Sequence, residues 1–141
     1  MSIRRVNPYI LLNGTAGKAI ELYQTALGAK TEAMMHWGDG PGACTEVPAE
    51  HKNRVMHAML RVGDDVLMLS DCPPDQPLTA GDTVQIALDF TDADEMSKAF
   101  DTLGAGGKVT CPIADQFWGA KFGTLTDAYG VRWMFNCEVK K

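Results

Sequence analysis

A chain of 141 residues is long enough for one domain with its own core, and 45% hydrophobic with 22% charged residues is a globular composition. A formal net charge of -5 supplies no basic face for a phosphate backbone, which argues against nucleic acid as a partner. No apolar run approaches the roughly 20 residues of a membrane span, and Met1-Ser2-Ile3-Arg4-Arg5 leads into no export-signal core, so a cytoplasmic protein with no membrane partner is expected.

Val6 to Leu12 is a short apolar run with β-branched and aromatic members, which predicts a buried strand ended by Asn13-Gly14. Thr15 is placed to cap a helix whose stripe is Ala19, Ile20, Tyr23 and Leu27, with Gly28 as its C-cap. Thr31 to Trp37 reads as a second strand. Gly38 to Asn53 then forms a glycine- and proline-bearing loop of a length that often marks a functional lid. Arg54 to Val62 and Asp65 to Ser70 read as strands joined in a hairpin at Gly63-Asp64. Asp71-Cys72-Pro73-Pro74-Asp75 breaks the pattern, and the segment to Gly81 connects.

The pattern then restarts. Thr83 to Phe90 is a strand, Thr91 a helix cap, Met96, Ala99, Phe100 and Leu103 a helical stripe, and Gly104 its end. Lys108 to Ile113 is a strand. Phe122, Thr124 and Thr126 alternate with Gly123 and Leu125, the period of a strand. Asp127-Ala128-Tyr129-Gly130 is turn chemistry, and Val131, Trp133 and Phe135 alternate with Arg132, Met134 and Asn136. One constant offset matches Thr15 with Thr91, Leu27 with Leu103, Gly28 with Gly104 and Ala29 with Ala105. The order strand, helix, strand, strand, strand therefore occurs twice, in modules 5–71 and 83–139 of a single domain 1–141.

Asp127-Ala128-Tyr129-Gly130-Val131-Arg132-Trp133 resembles the "DPFGH-W" end of the glyoxalase/bleomycin resistance/dioxygenase superfamily, also called vicinal oxygen chelate. Asp115-Gln116-Phe117-Trp118-Gly119 resembles the "DQ-WG" box of its PhnB-like branch. Pro8 to Gly14, Ala19 to Tyr23 with Leu27 to Ala29, His57 to Leu60 and Leu67 to Asp71 resemble further family segments in the same order. The resemblance implies an α+β fold of two tandem βαβββ modules with curved mixed sheets that form a cup, and a homodimer. It also implies, in metal-using members, one divalent ion held by His, Gln or Glu on the first and last strands of each module. Such an ion acts as a Lewis acid with open coordination positions.

At those places this chain offers Asn7, Pro8 and Tyr9, then Met68 and Leu69, then Gln85 and Ile86, then Trp133, Met134 and Phe135. Only Gln85 is even a weak ligand type, so no metal and no cofactor are expected, with one divalent ion as the alternative. None of Cys44, Cys72, Cys111 and Cys137 sits in a CxxC pair, and they read as reduced, mostly buried thiols. His36 reads as surface and His51 as solvated loop. His57 lies in an apolar strand between Val55 and Met59. It is either a hydrogen-bonded wall residue or a catalytic acid–base and ligand contact, since the ordinary histidine pKa of about 6.5 suits proton transfer.

Asp71 is either a turn brace or a ligand contact, and Asp115 and Gln116 could brace a loop. Trp118 and Trp133 offer flat apolar surface with one N–H each, for ligand or for core. Gly119 and Gly123 suggest backbone bending or close approach. There is no GxGxxG, P-loop or GxSxG, and no glycine-rich strand–helix turn to cradle an adenosyl cofactor.

Three functions are compatible with these residues. The favoured one is metal-independent binding or turnover of a small molecule, with a ligand site formed by His57, Asp71, Gln85, Gln116, Trp118 and Trp133. The site is expected in the cup beside the third, fourth and last strands, with the loop 38–53 and the 115–119 box at its mouth. The second is a metal-dependent lyase, isomerase or dioxygenase using His57 with Asp71 or Glu46. The third is a resistance protein that sequesters a cationic drug.

Overall fold

A computed structural model describes residues 2–39, 51–73 and 75–138 of the chain. The order of elements is β1 (Tyr9–Leu12), α1 (Ala16–Leu27), β2 (Lys30–His36), β3 (Val55–Val62), β4 (Asp65–Asp71), β5 (Ile86–Phe90), α2 (Ala93–Gly104), β6 (Lys108–Asp115), β7 (Ala120–Thr126) and β8 (Arg132–Glu138). They form two mixed four-stranded sheets, ordered β1-β4-β3-β2 and β5-β8-β7-β6, so the βαβββ module occurs twice as expected. In each, the outer parallel pair (β1 with β4, β5 with β8) adjoins two antiparallel pairs. Two compact units result. The first runs to Gln24 and from Gly28 to Thr79, and the second takes Thr25–Leu27 and continues from Ala80.

In the first unit, Ile10, Leu12, Ala58, Leu60, Leu67 and Leu69 form the buried side of the sheet, and α1 buries Ala16, Ala19, Ile20 and Tyr23. The expected stripe is displaced toward the helix N-terminus: Ala16 is buried and Leu27 is only partly covered. Thr15 stands at the N-cap, but its side chain makes no capping bond. The buried Asp71 carboxylate reaches across from β4 instead. Its Oδ1 accepts from the amides of Gly14 (2.7 Å) and Ala16 (3.0 Å), and its Oδ2 from the amide of Val55 (3.0 Å). One carboxylate thus satisfies orphan donors at a helix start and pins the first residue of β3.

In the second unit, α2 buries Met96, Ala99, Phe100 and Leu103, the stripe expected from the sequence. Phe135 receives Phe100 edge-on (centroids 5.1 Å) and Phe90 in a stack (5.6 Å), which fixes the helix to the sheet. The cap is Asp92 rather than Thr91, because the Asp92 carboxylate accepts from the amide of Glu95 at 3.0 Å. Gly104 is the last helical residue and Ala105 the C-cap, while Gly28 does adopt the left-handed cap conformation with φ of 65°. The helices start at Ala16 and Ala93, so the constant offset read from the sequence is one residue short.

β1 is shorter than expected. Pairing with β4 starts at Tyr9, and Val6 is 91% exposed. Pro8 has no N–H for a ladder, although its carbonyl accepts from the amide of Met68 at 3.1 Å. β6 crosses directly over Gly123. A Cβ there would lie 2.8 Å from Ile113 Cγ1 and 3.0 Å from the Ile113 nitrogen, at the place where the β6–β7 register shifts.

Gly123→Ala is therefore expected to lower stability by about 1–3 kcal/mol through overpacking. Gly17→Ala, in helix α1 with nothing within 4 Å of the new methyl, should be neutral or raise stability by up to about 1 kcal/mol. Urea unfolding of the two variants checks the pair, and equal losses would refute the close-approach reading.

Candidate functional site

Strand alternation sorts the first sheet into two sides. On β3, Ala58 and Leu60 point to the buried side, so His57, Met59 and Arg61 point to the other. Cross-strand partners share a side. Met35 lies opposite His57, Met68 opposite Met59, and Tyr9 opposite Met68. The open side of the first unit is thus lined by Tyr9, Met35, His57, Met59 and Met68. Tyr9 is 47% and Met35 44% exposed, and His57 is half-buried. The Tyr9 hydroxyl and His57 Nδ1 are 3.2 Å apart and share a hydrogen bond, with the rings tilted by 33°. At the edge, Glu32 and Arg61 pair at 3.0 Å, and the hydrogen bond and charge of Glu32 push the Arg61 guanidinium further up from its already high range.

Asp71 does not belong to this group. It alternates with Leu69 on the buried side, and its two oxygens take the three amides described above. Pairing of His57 with Asp71 around a metal is therefore corrected: the two side chains face opposite sides of the sheet. Glu46, the other suggested partner, lies outside the described residues, as do Cys44 and most of the 38–53 loop. A cavity of about 590 Å³ lies on the α1 side, lined among others by Lys18, Gln24, Met34, Arg54 and Asp71. Arg54 is engaged there by Asn13 Oδ1 (2.7 Å) and the carbonyl of Cys72 (2.8 Å).

In the second unit, Trp133 is 1% exposed and its indole N–H donates to Asp127 Oδ2 at 3.0 Å. Its burial is that of a core residue, one of the two roles that its sequence position left open. Asp127 also accepts from the amides of Tyr129 (2.8 Å) and Val131 (3.1 Å), which closes the turn before β8. Asp115-Gln116-Phe117-Trp118-Gly119 is the β6–β7 turn. The amide of Gln116 donates to the carbonyl of Ala120 (2.8 Å), that of Gly119 to Gln116 (3.1 Å), and Gly119 has φ of 88°. Gln116 Nε2 donates to the Ala114 carbonyl (3.2 Å) and Asp115 pairs with Lys121 (3.1 Å), so both brace the loop.

The turn holds out Phe117, 98% exposed, and Trp118, 54% exposed, whose ring stands edge-on to Phe122 at 6.0 Å. Gln85 is exposed ahead of β5, at the opposite edge of the sheet and the far end of the strands from this turn. Within the second unit, Gln116 and Trp118 are therefore brought together, and Gln85 and Trp133 are not brought to them.

The sequence reading passed over three groups. Tyr9 was weighed only as a failed metal ligand, although its place on the first strand aims it at His57. On the side of the second sheet away from α2, Asn136 Nδ2 donates to Asp89 Oδ1 (3.4 Å) and Thr110 and Thr124 share a hydrogen bond (2.6 Å). Asp89 could have been found from the alternation of Ile86, Leu88 and Phe90 around it. Of the other histidines, His36 is near Asp39 (3.5 Å), while His51 is half-buried and engaged rather than freely solvated. Among the described cysteines, Cys72 and Cys137 are buried and Cys111 is exposed.

The residues present do not fit a hard divalent ion at the first and last strands of each module. The open-side positions there include Tyr9 and Met68 in the first module and Ala87, Asp89, Met134 and Asn136 in the second; Asp89 is engaged by Asn136 (3.4 Å), and among the described residues no three His, Cys, Asp or Glu side chains converge. No helix among the described residues is long and apolar enough to cross a membrane.

The comparisons with known proteins agree with this fold. The family model described as glyoxalase/bleomycin resistance protein/dioxygenase superfamily matches residues 5–135. Protein YjdN of Escherichia coli strain K12 is 31% identical over 140 residues, covering 93% of each chain. The crystal structure of protein PA1353 from Pseudomonas aeruginosa superposes with a TM-score of 0.85 at 38% identity, over 96% of this chain and 98% of that one. A PhnB protein from Bacillus cereus shares the fold, with a TM-score of 0.77 at 20% identity over 95% and 99% of the chains.

The exposures of the two tryptophans set a test. Trp118→Ala should cost less than about 1 kcal/mol of stability, whereas Trp133→Ala should cost about 3–5 kcal/mol, because it empties core volume and removes the hydrogen bond to Asp127 Oδ2. Thermal and urea unfolding measure both, and a severe loss at Trp118 would make it a core plug.

Proposed function

The chain belongs to the glyoxalase/bleomycin resistance protein/dioxygenase superfamily, and from that premise we propose that it binds a small organic molecule on the open side of its first sheet, without a divalent metal. The observation that carries this reading is the Tyr9–His57 hydrogen bond set among Met35, Met59 and Met68. A ligand site combines apolar walls with a few polar groups that fix orientation. Thioether side chains adapt to irregular apolar shapes, and the Tyr–His pair supplies the polar handle.

The pair has two states. If the Tyr9 hydroxyl donates to Nδ1, then Nε2 carries the proton and is a donor to the ligand. If Nδ1 donates to the Tyr9 oxygen, Nε2 is a free acceptor or base. Either state serves a ligand with a hydroxyl, enol or carbonyl group, and the second can accept a proton from a weak acid. Tyr9 and Met68, at the open-side positions of the first and last strands of this module, support a site that works without Lewis-acid help.

We further propose a homodimer. β2 is exposed along nearly its whole length, as is β6, and each is an edge strand of its sheet. Edge strands exposed on both faces are liabilities unless another surface covers them, and a symmetric copy is the commonest cover. Light scattering at micromolar concentration should give twice the mass of 15.3 kDa, and a stable monomer would refute the dimer.

For the site, a library of small aromatic and carbonyl compounds screened by protein-observed NMR should yield binders that perturb Tyr9, His57 and Met59. His57→Ala should weaken them at least tenfold, about 1.4 kcal/mol, and Tyr9→Phe less. Binders indifferent to both substitutions would sink the proposal. Zinc, nickel, iron or manganese retained near one per chain after dialysis, and lost in His57→Ala, would replace it with a metal-dependent reading.

A further inference from the structure

The same side of the first sheet carries donors of a second kind. Met35 lies directly opposite His57 across β2 and β3, and Met59 directly opposite Met68 across β3 and β4. His57 and Met59 are two residues apart on β3 and point the same way. The four donor side chains thus step diagonally across three adjacent strands, about 4.8 Å apart from strand to strand and roughly 7 Å along β3, with the backbones of Met35 and Met68 about 12 Å apart. A methionine sulfur, on three rotatable bonds, can lean over the centre of such a patch.

We propose that Met35, His57, Met59 and Met68 form a binding site for a soft monovalent metal ion, with Cu(I) as the fitting species. Three thioethers and an imidazole are a soft, uncharged set, which favours Cu(I) and offers Mg(II), Ca(II) or Mn(II) nothing they bind well. At the edge of this side the Glu32 carboxylate is paired with Arg61 at 3.0 Å. The Tyr9 hydroxyl engages Nδ1 of His57 at 3.2 Å, leaving Nε2 as the metal donor. An outer hydrogen bond of this kind fixes the tautomer and orientation of a ligating histidine. Met35 is 44% exposed, which gives the ion a route in. The ion would share His57 and the three methionines with the proposed organic ligand, so the two should compete, although the ion's fit does not depend on that ligand.

Ag(I), a redox-inert stand-in for Cu(I), tests the site in full-length protein with ¹³C-labelled methionine methyl groups. The background variant carries Cys44→Ser and Cys111→Ser, so that only the buried Cys72 and Cys137 thiols remain. The expected result is saturation at one ion per chain, with shifts concentrated in the methyl signals of Met35, Met59 and Met68, which single Met→Leu variants identify. Met59→Leu and Met68→Leu should each weaken binding at least tenfold. Met34→Leu, on the opposite side of the sheet, should leave it unchanged, and Zn(II) should not shift these methyls. Cu(I), titrated without oxygen against a competing chelator, should repeat the stoichiometry and the ranking of variants. Loss of Ag(I) binding in the cysteine background, or equal shifts across all eight methionines, would overturn the proposal.

Discussion

The first unit depends on one buried carboxylate. Asp71 is 2% exposed, and an ionised group at that depth is tolerated only when its oxygens are fully engaged. Three backbone amides meet that condition, and they come from three separate places: the end of β1, the start of α1 and the start of β3. The carboxylate therefore fixes the angle at which the chain leaves the sheet and enters the helix. It also fixes the residue at which β3 begins, just before the register shift that separates Val55 from His57.

The second unit solves the same problem with another aspartate. Asp127 closes a turn with one oxygen and holds the indole of Trp133 with the other, so the turn and the largest core side chain are positioned together. The two open sides have nonetheless diverged in chemistry. The first is thioether, phenol and imidazole. The second is hydroxyl, amide and carboxylate, in the Thr110–Thr124 and Asn136–Asp89 pairs, beside the rings of Phe122 and Trp118. A duplicated architecture has kept its core rules, such as a helix stripe packed on alternate strand positions, while its outward-facing positions were free to change.

That distinction explains what the sequence made legible. Every strand and both helices could be read, because apolar period and turn residues are imposed by the core, which alternation records directly. Boundaries slipped where a tertiary contact overrode local preference. Asp71 took over the capping of α1 from Thr15, Asp92 displaced Thr91, and Pro8 withheld the first residues of β1 from the ladder. The site was harder, since its members are partners only across strands. His57 was singled out, but its link to Tyr9 spans 48 positions and two strand spacings, and no local pattern encodes that. For Asp71 and Trp133 the sequence left a structural and a ligand role both open, because a polar side chain beside a turn and an aromatic in a strand look alike whether buried or open.

The Asp115–Gly119 turn shows the limit of motif reading from the other direction. Its polar members, which look like chemistry, are consumed locally: Gln116 bonds its own turn and Asp115 pairs with Lys121. Gly119, at φ of 88°, lets the chain reverse where a side chain would be strained. What these residues accomplish together is to present two aromatic rings at a hairpin tip, one of them almost wholly exposed. A fold that needed those rings for its own stability would have turned them inward, as it did Trp133 and Phe135. The polar letters of the motif thus specify geometry, and the apolar ones carry whatever contact the geometry serves.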